Sequence, residues 1–134
     1  MNIAGQISNL VILYNLAPES TPEEIVTWYE YALEEGLVEY VTDQDETVVA
    51  FMDYARLAKV PKTLEEAREI YRVQDHNGEL PVLFVANGIS KHTEIFWALI
   101  GIIKDKNKDA KVHCFHHRKR DRMVILNKKE VEHV

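Results

Sequence analysis

The chain has a single cysteine, no long apolar run and no excess of basic residues, and each absence narrows what it can be. Because Cys114 is the only cysteine among 134 residues, no disulfide can form within the chain, which is typical of a reducing compartment. No apolar run reaches the roughly 18 residues that a membrane-spanning helix needs. No basic segment precedes the first apolar stretch, as one would in a signal peptide. We therefore expect a soluble cytoplasmic protein that binds no membrane.

Acidic residues outnumber basic ones. The chain has 22 Asp and Glu against 16 Lys and Arg, a formal net charge of −6, which argues against bulk electrostatic binding to nucleic acid. With 46% hydrophobic residues, the composition is that of a globular protein. The length fits one domain whose core is large enough to need no disulfide or metal. The sequence thus predicts a single domain over residues 1–134 and no nucleic-acid partner.

Three segments carry apolar residues at helical spacing. The first, residues 1–16, could be an addition to the domain and could dock a partner or a second copy in a homodimer. The second begins at Thr21, a capping residue that Pro22 follows at the first helical position, and it ends at Gly36.

The third helix runs from Thr93 to about Asp105 and is apolar on almost every side. A helix of this composition is normally covered by neighbouring elements over most of its surface. Trp97 in this helix and Trp28 in the second recur at core spacing, so we interpret both as packing residues.

Six segments have the alternation or the apolar run of β-strands between turn residues. Asn77-Gly78 is the strongest hairpin signal, and residues 63–68 could form one or two helical turns. The predicted fold class is α+β, with a central, mostly antiparallel sheet of about six strands, two N-terminal helices and a long helix after the fourth strand. The predicted strands are residues 37–42, 47–57, 70–74, 79–86, 111–117 and 122–127.

This order of elements resembles the GNAT superfamily of N-acyltransferases. Residues 48–52, Val-Val-Ala-Phe-Met, are similar to the family's second strand with its V-x-G-F pattern, and residues 80–86 are similar to its fourth strand. The helix from Thr93 is similar to the helix that receives the cofactor's pyrophosphate. The resemblance covers about residues 18–127 and extends to small GNAT-like proteins of phages and prophages, on the run Leu-Ala-Pro-Glu-Ser at residues 16–20.

The resemblance implies an acyltransferase that moves an acyl group from acetyl-CoA, another acyl-CoA or acyl carrier protein to the amine of a small molecule or protein. The amine would attack directly, without a covalent enzyme intermediate. In such a site the pantetheine arm pairs with the fourth strand, a backbone N–H polarises the thioester and the pyrophosphate binds at the following helix start. The implied cofactor-binding residues are Phe84, Val85, Ala86, Asn87, Gly88, Ser90, Lys91 and Thr93.

The family's Arg/Gln-x-x-Gly-x-Gly/Ala loop would fall within residues 87–93, where this chain has only one glycine. Lys91 could pair with phosphate there, and Ser90 or Thr93 could donate a hydroxyl. The alternative is a plain strand-to-helix turn in which Gly88 supplies a positive φ.

Asp53, Tyr54, His113 and Cys114 are the catalytic candidates. The resemblance brings the substrate amine over the end of the second strand, where Asp53 could bind it or relay its proton and Arg56 lies nearby. Tyr54 or Tyr71 could protonate the leaving thiolate. His113, Cys114 or His116, on the fifth strand, would face the cofactor cleft and could act as general base or acid. The alternative is structural in each case: a surface aspartate, a half-buried tyrosine, or a strand whose polar face meets solvent.

Residues 111–120 combine His113, Cys114, two further histidines and several basic residues. Alternation along a strand puts Cys114 and His116 on one side and His113 and His117 on the other, so we expect no metal site. A basic hairpin that binds nucleic acid is a second interpretation, but a solvated turn is favoured over it. The alternative to an enzyme is a catalytically inactive GNAT-fold protein of phage or prophage origin with a structural or interaction role.

Overall fold

The structure is a computed structural model, and it describes residues 2–73, 82–117 and 122–125. Within those ranges it has four helices and five strands. In chain order they are α1 (Ile3–Leu13), α2 (Pro22–Glu34), β1 (Val38–Thr42), β2 (Val48–Leu57), α3 (Leu64–Val73), β3 (Val82–Ser90), α4 (Thr93–Lys106), β4 (Val112–His117) and β5 (Arg122–Ile125).

The chain divides into two compact units. The first comprises Met1–Asp53 and Asn87–Ile102, and the second comprises Tyr54–Ala86 and Ile103–Val134. The division passes through β2, β3 and α4, so each of these elements contributes residues to both units.

The sheet has the strand order β1-β2-β3-β4-β5. β1 runs antiparallel to β2 and β4 runs antiparallel to β5, whereas β3 runs parallel to β4. The parallel pair is joined through α4, because parallel neighbours need a long crossover connection. The prediction of an α+β fold is therefore confirmed, with a mixed sheet, and β4 and β5 confirm the last two predicted strands over their described residues.

The two N-terminal helices lie in the first unit and pack on each other. Asn2 caps α1 by accepting a hydrogen bond from the N–H of Gly5 at 2.8 Å, and Thr21 and Glu24 form the reciprocal capping box of α2. The Gln6 side chain in α1 accepts a hydrogen bond from the backbone N–H of Val48 at 2.7 Å. The first helix is thus bonded to β2 as well as packed on α2.

The segment predicted as the third strand is helical. Ile70 and the residues up to Val73 belong to α3, which the Thr63 hydroxyl caps by accepting from the N–H of Glu66 at 3.0 Å. Ala67 and Ile70 share one face of this helix and pack into an apolar cluster of the second unit. Helical periodicity and the cap prevailed over the local strand preference. Gln74 and the predicted Asn77-Gly78 hairpin lie outside the described residues.

β3 continues to Ser90, whereas the sequence predicted that this strand ends at residue 86. A Cβ at Gly88 would lie 3.3 Å from Cγ of Met52 and 3.3 Å from the backbone oxygen of Phe51. The prediction that Gly88 supplies a positive φ is wrong, since its φ is not in the left-handed region. Glycine fits this position because a Cβ would be held closer to β2 than most side chains are to their neighbours.

The helix α4 has one buried face and one exposed face, although both are apolar. Leu99, Ile100 and Ile103 are buried. Trp97 is 53% exposed, so its interpretation as a packing residue is wrong. The expectation that neighbouring elements cover most of the helix is also wrong for the side that carries Trp97. Apolar residues all round a helix do not indicate which side faces the core. Trp28 in α2 is half-buried, and its ring centroid lies 5.4 Å from that of Tyr31.

In the part of the chain that the structure describes, none of the helices has both the length and the apolarity to span a bilayer.

We predict that Gly88→Ala lowers the free energy of unfolding by about 1–3 kcal/mol, because the added methyl group meets the Phe51 carbonyl as well as the more flexible Met52 side chain. Gly101→Ala is the matched control. A Cβ at that helical position meets nothing within 4 Å, so we expect a gain of about 0.5–1 kcal/mol. Urea unfolding of the two variants measures both changes, and equal stability of Gly88→Ala and the parent chain would contradict the close approach.

Candidate functional site

Asp53 is a buried acid that is bound to a tyrosine. Its Oδ2 accepts a hydrogen bond of 2.6 Å from the hydroxyl of Tyr29 in α2. Both residues are buried, and the Tyr29 ring packs edge-on against Phe51 with 5.7 Å between centroids. A carboxyl group in apolar surroundings is costly unless hydrogen bonds satisfy it, and the tyrosine hydroxyl supplies one. The alternative that Asp53 is an ordinary surface aspartate is therefore wrong. The pattern of residues along β2 could not identify its partner, because Tyr29 lies in a helix 24 residues earlier in the chain.

Tyr54 follows Asp53 on β2 and is also buried. Successive side chains of a strand point to opposite faces of the sheet. The two candidates therefore do not share a face on which one substrate could contact both side chains.

His113 and Cys114 are neighbours on β4 in the second unit, and both are buried. The His113 Nε2 lies 3.3 Å from the backbone oxygen of Asn107, whereas Cys114 belongs to an apolar cluster with Leu57, Val82 and Phe84. Because neighbouring strand residues face opposite sides, β4 is covered on both faces here. The alternative of a polar face that meets solvent is wrong for these two residues, and the side chains of His116 and His117 lie outside the described part.

Burial determines the chemistry of Cys114. It raises the pKa of the thiol to about 12, since the thiolate would lose its hydration in the apolar cluster. The thiolate is the reactive form of cysteine, so the folded protein keeps this side chain unreactive at neutral pH.

A polar cluster of the second unit surrounds Arg56. Its guanidinium donates to both carboxylate oxygens of Asp109, each at 2.9 Å, and to Oδ1 of Asn107 at 3.4 Å. The Arg56 guanidinium holds the pKa of Asp109 below its usual value, chiefly through hydrogen bonding. Asn107 in turn donates to the backbone oxygen of Ile103 at 2.8 Å. The cluster joins β2 to the loop after α4, and no sequence signal links residues so far apart along the chain.

The predicted cofactor residues lie along β3 and the turn that follows it. Phe84 and Val85 are buried and pair in register with Cys114 and Phe115 of β4. Their side chains are enclosed, and their backbones lie in the part of β3 that is paired with β4, so any backbone contact with a ligand would come from β3 after Val85. The side chains of Ala86 and Asn87 lie outside what the structure describes.

The turn between β3 and α4 is two residues long, Lys91 and His92. Ser90 closes it, because its Oγ donates to the backbone oxygen of His92 at 2.8 Å and accepts from the His92 N–H at 3.3 Å. Lys91 and Thr93 are exposed at the start of α4. The first-turn N–H groups of a helix carry partial positive charge and bind anions, so Lys91 and this helix start together favour an anionic group.

Among the described residues, no group of three or more His, Cys, Asp or Glu side chains is placed to hold a metal ion. No protein-family model, curated protein or solved structure matches this chain. The resemblance to GNAT proteins thus stays a prediction.

We predict that Tyr29→Phe lowers the free energy of unfolding by about 1–3 kcal/mol, since the buried Asp53 carboxyl loses a hydrogen-bond donor. Tyr40→Phe removes a hydroxyl from an exposed tyrosine and should change stability by less than about 0.5 kcal/mol. A double-mutant cycle with Asp53→Ala, which removes the acceptor, gives the coupling energy of the pair. Additive effects of the two substitutions would refute this hydrogen bond.

We predict that Cys114 reacts with a thiol reagent far more slowly in the native protein than in urea. Its pKa is raised from 9.0 to about 12, so between these values the unfolded chain releases a proton that the folded chain keeps. The free energy of unfolding therefore falls as pH rises from about 9 towards 12, and Cys114→Ala lacks this part of the slope. Rapid labelling of the native protein at pH 8 would contradict the burial of the thiol.

Proposed function

We propose that the protein is a GNAT-like N-acyltransferase, which transfers an acyl group from acetyl-CoA, another acyl-CoA or acyl carrier protein to an amine. The observation that carries the proposal is the β3–α4–β4 arrangement, in which a strand, a short turn and a long helix lead to a strand parallel to the first. This is the order in which a GNAT protein presents a strand backbone and a helix start to its cofactor. The two helices before the sheet support the same assignment.

The donor groups at the β3–α4 turn fit the anionic end of such a cofactor. Lys91 and Thr93 would hold the pyrophosphate together with the first-turn N–H groups of α4. Gly88 lies in β3 against Met52, outside the turn. Phosphate contacts would therefore come from side chains and the helix start, in place of a glycine-rich loop.

Acyl-CoA, when bound, supplies an activated thioester. Of the backbone N–H groups between Phe84 and Ala86, that of Ala86 lies beyond the last residue in register with β4, and it would stabilise the negative charge that develops on the thioester oxygen. The acceptor amine forms the amide bond as the carbon–sulfur bond breaks, and its proton passes to solvent while the departing thiolate is protonated.

The β3 backbone and the β3–α4 turn would thus make the contacts with the thioester and the pyrophosphate. Asp53, Tyr54, His113 and Cys114 are 1, 4, 5 and 0% exposed, so a substrate would reach these side chains only if the surrounding packing changed. Their contribution is to hold the strands that carry the reacting backbone groups.

A catalytically inactive GNAT-fold protein, of the kind found in phages and prophages, is the second candidate. The burial of all four catalytic candidates favours it. The absence of a second glycine between residues 87 and 93 favours it too, since a closely wrapped pyrophosphate normally needs small residues.

We predict that acetyl-CoA binds the full chain and raises its melting temperature, and that Lys91→Ala weakens binding roughly tenfold by removing a charge-assisted contact. Lys62→Ala, at an exposed lysine of the second unit, is the control and should bind as the parent chain does. Isothermal titration measures the affinities, and mass spectrometry of an offered amine detects transfer. Binding without transfer supports the inactive alternative, whereas no heat and no thermal shift at millimolar acetyl-CoA or acyl carrier protein overturns the proposal.

A further inference from the structure

The last turn of α1 presents large apolar side chains to solvent. Ile12, Leu13 and Tyr14 are 47, 73 and 44% exposed, whereas Val11 beside them is buried. Apolar residues that are exposed singly are ordinary, but three large ones in a row at one end of a helix form a contiguous patch of the kind that marks interaction sites. We name Ile12, Leu13 and Tyr14 the α1 end.

The part of the first unit that carries the α1 end offers a partner negative charge only. Residues 1–18 contain no Asp, Glu, Lys, Arg or His. Residues 19–53 contain 11 Asp and Glu and again no Lys, Arg or His. Asp53 is buried, and none of the other ten acidic residues is. Because no basic side chain lies among them, these carboxylates attract a cationic partner.

The fold brings acidic residues to α1 itself. The Gln6 side chain donates to the backbone oxygen of Glu46 at 3.3 Å, which places the β1–β2 turn with its exposed Asp45 beside the first half of the helix. Beyond the α1 end, the chain passes through Glu19 into α2, which packs on α1 and has Glu23 in its first turn. The uncharged helix is therefore followed, and bonded on one side, by acidic segments.

The backbone adds to the same negative potential. The carbonyl groups at the C-terminal end of a helix carry partial negative charge, which favours a cation nearby. The last turn of α1 contains no basic residue that could supply one. The α1 end thus joins an exposed apolar patch to a site that attracts positive charge.

We propose that the α1 end binds an amphipathic basic segment of another protein. Its apolar side chains would cover Ile12 and Leu13, and its Lys or Arg side chains would face the carboxylates of Glu19 and Glu23. Charge complementarity selects this occupant over a second copy, because a symmetric contact would bring two identical acidic surfaces together. The inference does not depend on the proposed acyl transfer, since it uses only α1 and the acidic residues near it.

Three labelled peptides test the chemistry of the partner by fluorescence anisotropy with the full chain. The probe is an amphipathic peptide of Leu and Lys with about 14 residues, enough for about four helical turns. It should bind, and binding should weaken as salt screens the charges. A peptide with Glu in place of every Lys should not bind, and a peptide with Ser in place of every Leu should bind far more weakly.

Variants of the chain test where the peptide binds. Ile12→Gln should weaken binding of the Leu–Lys peptide about tenfold, because an apolar contact is lost. Ile102→Gln is the matched control, since Ile102 is also a helical isoleucine and is 43% exposed in α4. It should bind as the parent chain does.

A second pair of variants tests the charges. Glu19→Gln with Glu23→Gln should weaken binding about threefold and reduce its salt dependence. Glu65→Gln with Glu69→Gln, at two exposed residues of α3 in the second unit, is the control and should leave the affinity unchanged. Thermal unfolding of each variant checks that it is folded.

Four results would overturn the proposal. The Leu–Lys peptide could leave the anisotropy unchanged up to about 1 mM chain, or the Leu–Glu peptide could bind as tightly. Ile12→Gln could bind as the parent does, or Ile102→Gln could bind as weakly as Ile12→Gln. Finally, sedimentation could show that the parent chain self-associates and that Ile12→Gln abolishes this, which would make a second copy the occupant. The acetyl-CoA titration is a separate measurement, so failure of either proposal leaves the other standing.

Discussion

The burial of the central strands constrains the rest of this structure. In β2 only Val49 and Arg56 are not buried, and in β3 the residues from Val82 to Val85 all are. In β4, the adjacent His113 and Cys114 are both buried, although they face opposite sides. Strands covered on both faces give stability through apolar area removed from water, but they leave no surface on which a polar side chain can meet solvent.

Polar groups in such strands need partners within the protein, and the structure supplies them locally. The Asp53 carboxyl receives the Tyr29 hydroxyl within the first unit, and His113 lies against the backbone oxygen of Asn107 within the second. The same close packing leaves little room for a Cβ at Gly88. The catalytic candidates therefore stabilise the fold from within it. The exposed groups that could meet a ligand include those of the Ser90–Thr93 turn and the outward side of α4.

The sequence was enough to predict those helices and strands that depend on residues close together in the chain. The capping residue Thr21 followed by Pro22 defined the start of α2, and the structure has the complete capping box there. The last two strands and the long helix from Thr93 were likewise predictable from alternation and from helical spacing. The prediction of a strand at Ile70 was wrong, because a short stretch with β-branched and aromatic residues is compatible with either a strand or a helix. Its packing partners decide between the two.

From the sequence one could predict an acidic α+β chain with two helices before a sheet and a helix between its later strands. Which residues a ligand can reach follows from the packing of these elements. Asp53 and Lys91 are both charged residues next to predicted strands, yet one is enclosed against α2 and the other is exposed in a turn. Trp97 and Leu99 are equally apolar and lie in one helix, yet they face solvent and core respectively. The physical reason is that exposure depends on which neighbours fold over a residue, and those neighbours are distant in the chain.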